Sequence, residues 1–309
     1  MWVDSGKVTL VERDAPSGDG TLVTITSSGI CGSDLHLLSL GFGGVILGHE
    51  FGGITDDGRL VAVRPTGECG ACRECSRNLP HLCADASRDL LGVSSDGGLA
   101  EQIRVGESRL VVMPAGVDPT HVALVEPLAV VVHGVERANP APGSRAIVVG
   151  AGSIGLLCAA ALRWRGVEVD IVARHRHQKM AADRLGARPV DAPQGDYDAS
   201  FDAVCSQSAF DMCVAATMPR GALVEFGMFW EPVTLSNSLL MKEITLLPSI
   251  FYGHDSTRSD FATAAQVLAD LPYLAEAVVT HRFALDDAPE AVRVANERSS
   301  GTIKVHLFS

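Results

Sequence analysis

The hydrophobic pattern divides the chain into two textures. Up to about residue 125, short β-type apolar runs alternate with turns rich in Gly and Pro. Residues 8–11, 22–26, 59–63, 100–105 and 110–113 read as strands, and few helices are expected among them. From about Pro127, apolar runs at 146–149, 167–172, 201–205, 222–226 and 243–250 are separated by stretches of helical character, such as 153–165 and 178–185. Strands alternating with helices imply βαβ units and a parallel sheet. The tail predicts helices over 257–270 and 288–298; Asp286, Asp287 and Pro289 suit the first turn of the second. A final strand, 302–307, is expected to return to the first part of the chain.

These patterns predict an α/β protein of two domains. A β-rich domain over 1–125, completed by 255–309, is interrupted by a doubly wound parallel-sheet domain over 126–254. The 309 residues suffice for two cores, and 47% hydrophobic with 20% charged residues is an ordinary globular composition. A formal charge of −12 argues against nucleic acid or an anionic membrane as partner, since both would repel it. The first residues lack the apolar core of a signal peptide, and the run 154–162 is too short to span a bilayer. Four of eight cysteines cluster, while Cys31, Cys158, Cys205 and Cys213 are scattered, which suits a reducing compartment. A cytoplasmic enzyme is expected.

The cluster is Cys69-x2-Cys72-x2-Cys75-x7-Cys83. Thiolates two residues apart on tight turns converge on one tetrahedral Zn²⁺, and four of them leave no open position. The site therefore holds its lobe together and does no chemistry. Iron–sulfur ligation is the rival reading, but its bacterial cysteine run has a different third gap and a Pro after the last Cys, where Ala84 stands here. His81 lies inside the same stretch, and four cysteines leave it no role as a ligand.

A second motif, Gly150-Ala151-Gly152-Ser153-Ile154-Gly155, follows an apolar strand and opens a predicted helix. That context is what a dinucleotide fingerprint requires: Gly150 for the tight turn, Gly152 for approach of the pyrophosphate, Gly155 for helix–strand packing. Ser153 and Ile154 begin the helix whose N–H groups and dipole favour the phosphates. Sites for NAD place a carboxylate about 20 residues after the glycines, on the ribose 2′-OH. Here the turn reads Val172-Ala173-Arg174-His175-Arg176-His177, and Asp170 falls too early, on the strand. An Arg at that turn can pair a 2′-phosphate, so NADP(H) is predicted, with Arg174 the leading ligand and His175 or Arg176 in support.

Three further segments bring zinc-compatible groups: Cys31 in Gly29-Ile30-Cys31-Gly32-Ser33-Asp34-Leu35-His36, His49 and Glu50 in Gly48-His49-Glu50-Phe51, and Glu126 in Val125-Glu126-Pro127-Leu128. Three protein ligands and an open position is the catalytic arrangement for zinc. With the cysteine cluster and the glycine turn, in this order over almost the whole chain, the sequence resembles the zinc-containing medium-chain dehydrogenase/reductase family. The nearest branch looks like the sorbitol, threonine and glucose dehydrogenases. The tail segments Thr280-His281-Arg282-Phe283 and Asp287-Ala288-Pro289-Glu290-Ala291 also resemble that family's ending.

The resemblance implies a GroES-like catalytic domain beside a Rossmann domain, and two zinc ions per chain, one catalytic and one structural. It makes Cys31 and His49 ligands of the catalytic ion, with Glu50 or Glu126 as the third. Ser33 would hydrogen-bond the substrate hydroxyl, His36 would pass the proton towards solvent, and Asp34 would fix the tautomer of His49. The implied reaction is hydride transfer between NADP(H) and a secondary alcohol or polyol and its ketone, in a homodimer or homotetramer; the apolar strand at 244–250 is a candidate edge for the pairing. A rival reading is a reductase of conjugated C=C or iminium bonds, favoured if activity survives Cys31→Ala. Another is a catalytically silent protein that holds only nucleotide and structural zinc. The chain is short for this family: only twelve residues separate His36 from His49, and the stretch from Glu50 to Cys69 is compressed around Asp56-Asp57-Gly58-Arg59. These deletions fall near the substrate entrance and the outer β lobe, so the substrate itself is not readable.

Overall fold

The computed structural model of the chain describes residues 1–4, 6–254, 259–297 and 300–309; the expected helix start at 257 and helix end at 298 lie outside these. The chain forms two units, Met1–Glu126 with Gly253–Ser309, and Pro127–Tyr252.

In the first unit the long strand Thr21–Ile30 is the organising element. It pairs antiparallel with Lys304–Phe308, Glu50–Thr55 and Gln102–Val105. The sheet continues through Leu60–Val63 to Leu110–Val112 on one side and to Val279–Ala284 on the other. The return of the tail as Lys304–Phe308 thus places residues from both ends of the chain in adjacent strands. Alternating side chains of these strands, Val23, Ile25, Phe51, Val61, Val63, Ile103 and Val105, form one core. Each such side chain, fully buried, contributes about 1.5–3 kcal/mol. A second core gathers Val3, Ile30, Leu47, Leu99, Val305 and Leu307 under a small sheet of Lys7–Thr9, Trp2–Asp4 and Val45–Ile46.

Two elements that carry site residues depart from the sequence expectation. Glu50–Thr55 is a strand although Gly52 and Gly53 lower its β-propensity. The glycines are there for space: a Cβ on Gly53 would lie 2.0 Å from the Thr24 carbonyl oxygen, and one on Gly52 2.2 Å from Val122 Cγ1. Gly32–Ser39 is a helix where none was expected. Its apolar pattern is weak, and the helix is set by its start, where Asp34 accepts the N–H of Cys31 at 2.9 Å.

The second unit holds six parallel strands in the order Arg188–Val190, Glu168–Val172, Arg145–Val149, Tyr197–Asp202, Thr217–Glu225, Thr245–Pro248. Numbered by sequence this is 3-2-1-4-5-6, the doubly wound Rossmann arrangement. Helix Ser153–Trp164 buries residues 155–162 without a break, which explains its apolar character all round. The strand expected at 201–205 runs instead over Tyr197–Asp202. It stops because Asp202 Oδ1 accepts the N–H groups of Val204 and Cys205, both at 2.8 Å, and turns the chain.

Candidate metal centre and nucleotide turn

The end of Thr21–Ile30 and the start of Glu50–Thr55 lie side by side, with Gly29 opposite Glu50. This brings Cys31, His49 and Glu50 together: one donor atom from each lies within 4.8 Å of the others. Asp34, 1% exposed, organises the group from behind. Its Oδ2 holds the Cys31 N–H, and its Oδ1 lies 3.2 Å from His49 Nδ1. The other ring nitrogen of His49, Nε2, lies 3.4 Å from Ser33 Oγ. His36 follows Ser33 by three residues on the same helix, hence on the same face.

Glu50 and Glu126 differ in their surroundings. Glu50 forms an ion pair with Lys304, itself 3% exposed, whose Nζ also donates to the Ile30 carbonyl at 3.1 Å. Gly29 makes this possible, because a Cβ there would lie 2.1 Å from Glu50 Oε2. Lys304 escaped the sequence reading. Its one signal was a charge among the apolar residues Ile303 and Val305 of the last strand. Glu126 stands in the first turn of helix Val125–Ala138 and is 7% exposed, outside the close group of three donors. Burial pushes its pKa up to about 8, with His49 opposing and Glu50 adding to the shift.

The pocket favours positive charge. Burial works against a protonated His49, yet Asp34 and Cys31 outweigh it and hold its pKa well above the usual value. Lys304 is likewise disfavoured by burial and raised overall by Glu50 and Cys31. A sulfur, an imidazole nitrogen and a carboxylate oxygen within reach of one point, in a buried anionic pocket, fit a zinc ion.

The four-cysteine loop is arranged differently. All four sulfurs lie within 4.8 Å of one another, and Cys69 and Cys83 are 3.6 Å apart. That separation is far longer than a disulfide and close to the roughly 3.8 Å that tetrahedral Zn–S bonds of about 2.3 Å impose. Backbone amides point at the sulfurs: Cys72 N–H at Cys69, Cys75 N–H at Cys72 and Asp85 N–H at Cys83. Amides of Ala71 and Cys72 pull the Cys69 thiol down to about 7, while desolvation and the neighbouring thiols raise Cys72 and Cys75.

In the second unit the glycine turn joins Arg145–Val149 to Ser153–Trp164. Gly150 has φ 101°, which favours glycine, and a Cβ on Gly155 would lie 1.8 Å from the Gly150 carbonyl oxygen. A Cβ on Gly152, by contrast, would meet nothing of the chain within 4 Å. The open side of Gly152, at a helix start without a side-chain cap, fits a phosphate group. Arg174, His175 and Arg176 are exposed just beyond Glu168–Val172, with His175 preceding helix Arg176–Arg184. Asp170 is engaged elsewhere, by Arg188 at 2.6 and 2.8 Å and by the Tyr197 hydroxyl at 2.6 Å.

Residues 120–307 match the glucose dehydrogenase C-terminus family and residues 17–115 the alcohol dehydrogenase GroES-like domain family. The L-galactonate-5-dehydrogenase of Escherichia coli is 32% identical over 88% of this chain and 86% of its own length. The L-idonate 5-dehydrogenase (NAD(P)(+)) of the same organism is 29% identical over 94% of this chain and 92% of its own. Among solved structures, a candidate zinc-binding dehydrogenase of Sinorhizobium meliloti bound to NADP superposes with a TM-score of 0.89 at 26% identity, covering 99% of this chain and 97% of that one. The chain belongs to the zinc-containing medium-chain dehydrogenase/reductase family of alcohol and polyol dehydrogenases, and is an oxidoreductase. Among the described residues no helix is long and apolar enough to cross a membrane.

Proposed function

We propose that the chain is a zinc-dependent dehydrogenase that exchanges a hydride between NADP(H) and a secondary alcohol or polyol and its ketone. The observation that carries this reading is the convergence of Cys31, His49 and Glu50 on one point, with Asp34 behind His49. A bound zinc ion supplies Lewis acidity there, easing loss of a hydroxyl proton near neutral pH and polarising a carbonyl in reverse.

The chain's own groups do the rest. Asp34 holds Cys31 and His49 in place, and Lys304 balances the charge of Glu50. Glu126 is the second carboxylate available to the same pocket. Ser33 takes the proton of the reacting hydroxyl, and His36, one turn further on, hands it towards solvent. Gly150, Gly152, Ser153, Ile154 and Gly155 seat the pyrophosphate. Arg174, with His175 and Arg176, pairs the 2′-phosphate, a role supported by the absence of any carboxylate between Val172 and His177. Relatives named for C5 oxidation of sugar acids and the NADP-bound neighbour favour a polyhydroxylated substrate and this cofactor. Thr245–Pro248 ends the six-stranded sheet, and its outer edge supports pairing of two copies.

The test is a screen of polyols, sugar acids and simple secondary alcohols with NADP⁺ and NAD⁺, followed by absorbance of the reduced nicotinamide. Arg174→Ala is expected to weaken NADPH binding about 10- to 100-fold, the worth of a charge-assisted hydrogen bond of about 1.5–3 kcal/mol, and to spare NADH. Equal losses for the two cofactors would sink the NADP assignment.

A further inference from the structure

A third group of metal-compatible side chains lies in the second unit, at the carboxyl ends of two paired strands. Asp202 and Glu225 end Tyr197–Asp202 and Thr217–Glu225 and are opposite each other in the ladder. Cys205 follows on the turn after Asp202, and one donor atom from each of the three lies within 4.8 Å of the others. The carboxylates are buried, Asp202 0% and Glu225 3% exposed. Asp202 Oδ1 is occupied by two backbone amides and its Oδ2 has no hydrogen-bond partner, while the one side chain that Glu225 meets is the Cys205 thiol. Neither carboxylate has a lysine, arginine or histidine partner among the described residues. Two uncompensated acids in one buried place cost several kcal/mol unless something neutralises them.

A shared proton would answer the two acids alone, but the backbone around them is arranged for sulfur. Cys205 has φ 57°, the left-handed region that favours glycine, so a side chain is kept there against a strain of about 1–3 kcal/mol. Its Sγ accepts the Gly227 N–H at 3.1 Å, and a Cβ on Gly227 would come within 2.7 Å of that sulfur. Amide-to-sulfur contacts of this kind hold Cys69 and Cys83 in the four-cysteine loop. The adjacent Val204 also packs on the nucleotide turn, since its Cγ2 would lie 2.5 Å from a Cβ on Gly150.

We propose that Asp202, Cys205 and Glu225 form a separate divalent-cation site that takes Zn²⁺ or a similarly borderline-soft ion. One sulfur and two carboxylate oxygens give a three-ligand set with a fourth position for water. The ion ties the ends of two central strands together and steadies the loop that borders Gly150. Nothing in this assignment depends on hydride chemistry or on the choice of cofactor.

The test measures zinc per chain by elemental analysis, after equilibration with Zn²⁺ and removal of the excess, in the parent protein, Cys205→Gly and Glu225→Gln. Each variant is expected to hold one zinc fewer than the parent. Cys205→Gly removes a ligand while relieving the positive φ, so it should fold, and its Tm separates the two cases. With a cation bound in the parent, Cys205→Gly lowers the Tm in zinc; with none bound, glycine raises it. An unchanged zinc count in both variants, or a higher Tm for Cys205→Gly in zinc, would overturn the proposal.

Discussion

The four-cysteine loop and the Cys31–His49–Glu50 pocket are both built of metal donors, yet they are assembled in opposite ways. In the loop every donor comes from one short stretch, and the amides that orient the sulfurs belong to that same stretch. In the pocket the donors come from a strand end and a neighbouring strand start, and the lysine that balances them reaches Ile30 across 274 positions. The loop uses all its donors on one point and is closed. The pocket spends only three donors on the point and surrounds them with Ser33, Asp34, Glu126 and Lys304. Local assembly suits a staple, and dispersed assembly suits a reactive site whose members must each be held from behind.

The largest expected effect breaks the staple. Cys72→Ser leaves three thiolates in a site whose ion contributes on the order of 10 kcal/mol to folding. The variant should lose one zinc per chain and several degrees of Tm, with new proteolytic cleavage between residues 69 and 83. Cofactor titration, which reads the second unit, should change little. Retention of the full zinc content and an unchanged Tm would mean that the loop is not held by metal.

This contrast also explains what was legible in the sequence. Spacing alone specifies a local site, so Cys69, Cys72, Cys75 and Cys83 could be read together before any fold was known. The glycine turn was readable for a similar reason: Gly150, Gly152 and Gly155 do their work within six residues, and Gly152 shows it by its open side. Lys304 could not be assigned, because its partner Glu50 lies two strands away and only the pairing of both strands with Thr21–Ile30 brings them together. The helix Gly32–Ser39 was hidden by its weak apolar stripe, although Asp34, three residues after Cys31, carried a usable capping signal. Asp202, Cys205 and Glu225 gave no motif at all, since their proximity depends on the register of two parallel strands.

A second experiment sharpens the contrast at the pocket. Lys304→Met keeps the length of the side chain but leaves Glu50 buried without its counter-charge, at a cost of about 3–5 kcal/mol. Denaturant unfolding of chelator-treated protein should show that loss in full. In zinc-loaded protein the loss should shrink, because the ion gives Glu50 a second partner. The double variant Glu50→Gln with Lys304→Met should recover most of the stability in the metal-free state, as neutral pairs of similar volume often do. A loss of equal size with and without zinc would show that Glu50 belongs to Lys304 alone, and Glu126 would then be the third donor.

The smallest effect separates holding the ion from moving the proton. Ser33 has no part in binding metal or nucleotide under the proposed mechanism; it sits 3.4 Å from His49 Nε2 and ahead of His36 on one helix face. Ser33→Ala removes a single hydrogen-bonding group, so kcat should fall by about 10- to 100-fold, corresponding to about 1.5–3 kcal/mol. Zinc content, Tm and NADPH affinity should stay near those of the parent. If Ser33 and His36 form one relay, adding His36→Asn to Ser33→Ala should cost little more than the larger single loss, because a broken chain cannot be broken twice. Multiplying losses in the double variant would show two independent contributions and remove the relay. A fall in zinc content with Ser33→Ala would show instead that the hydroxyl orients His49, making it part of how the pocket is held.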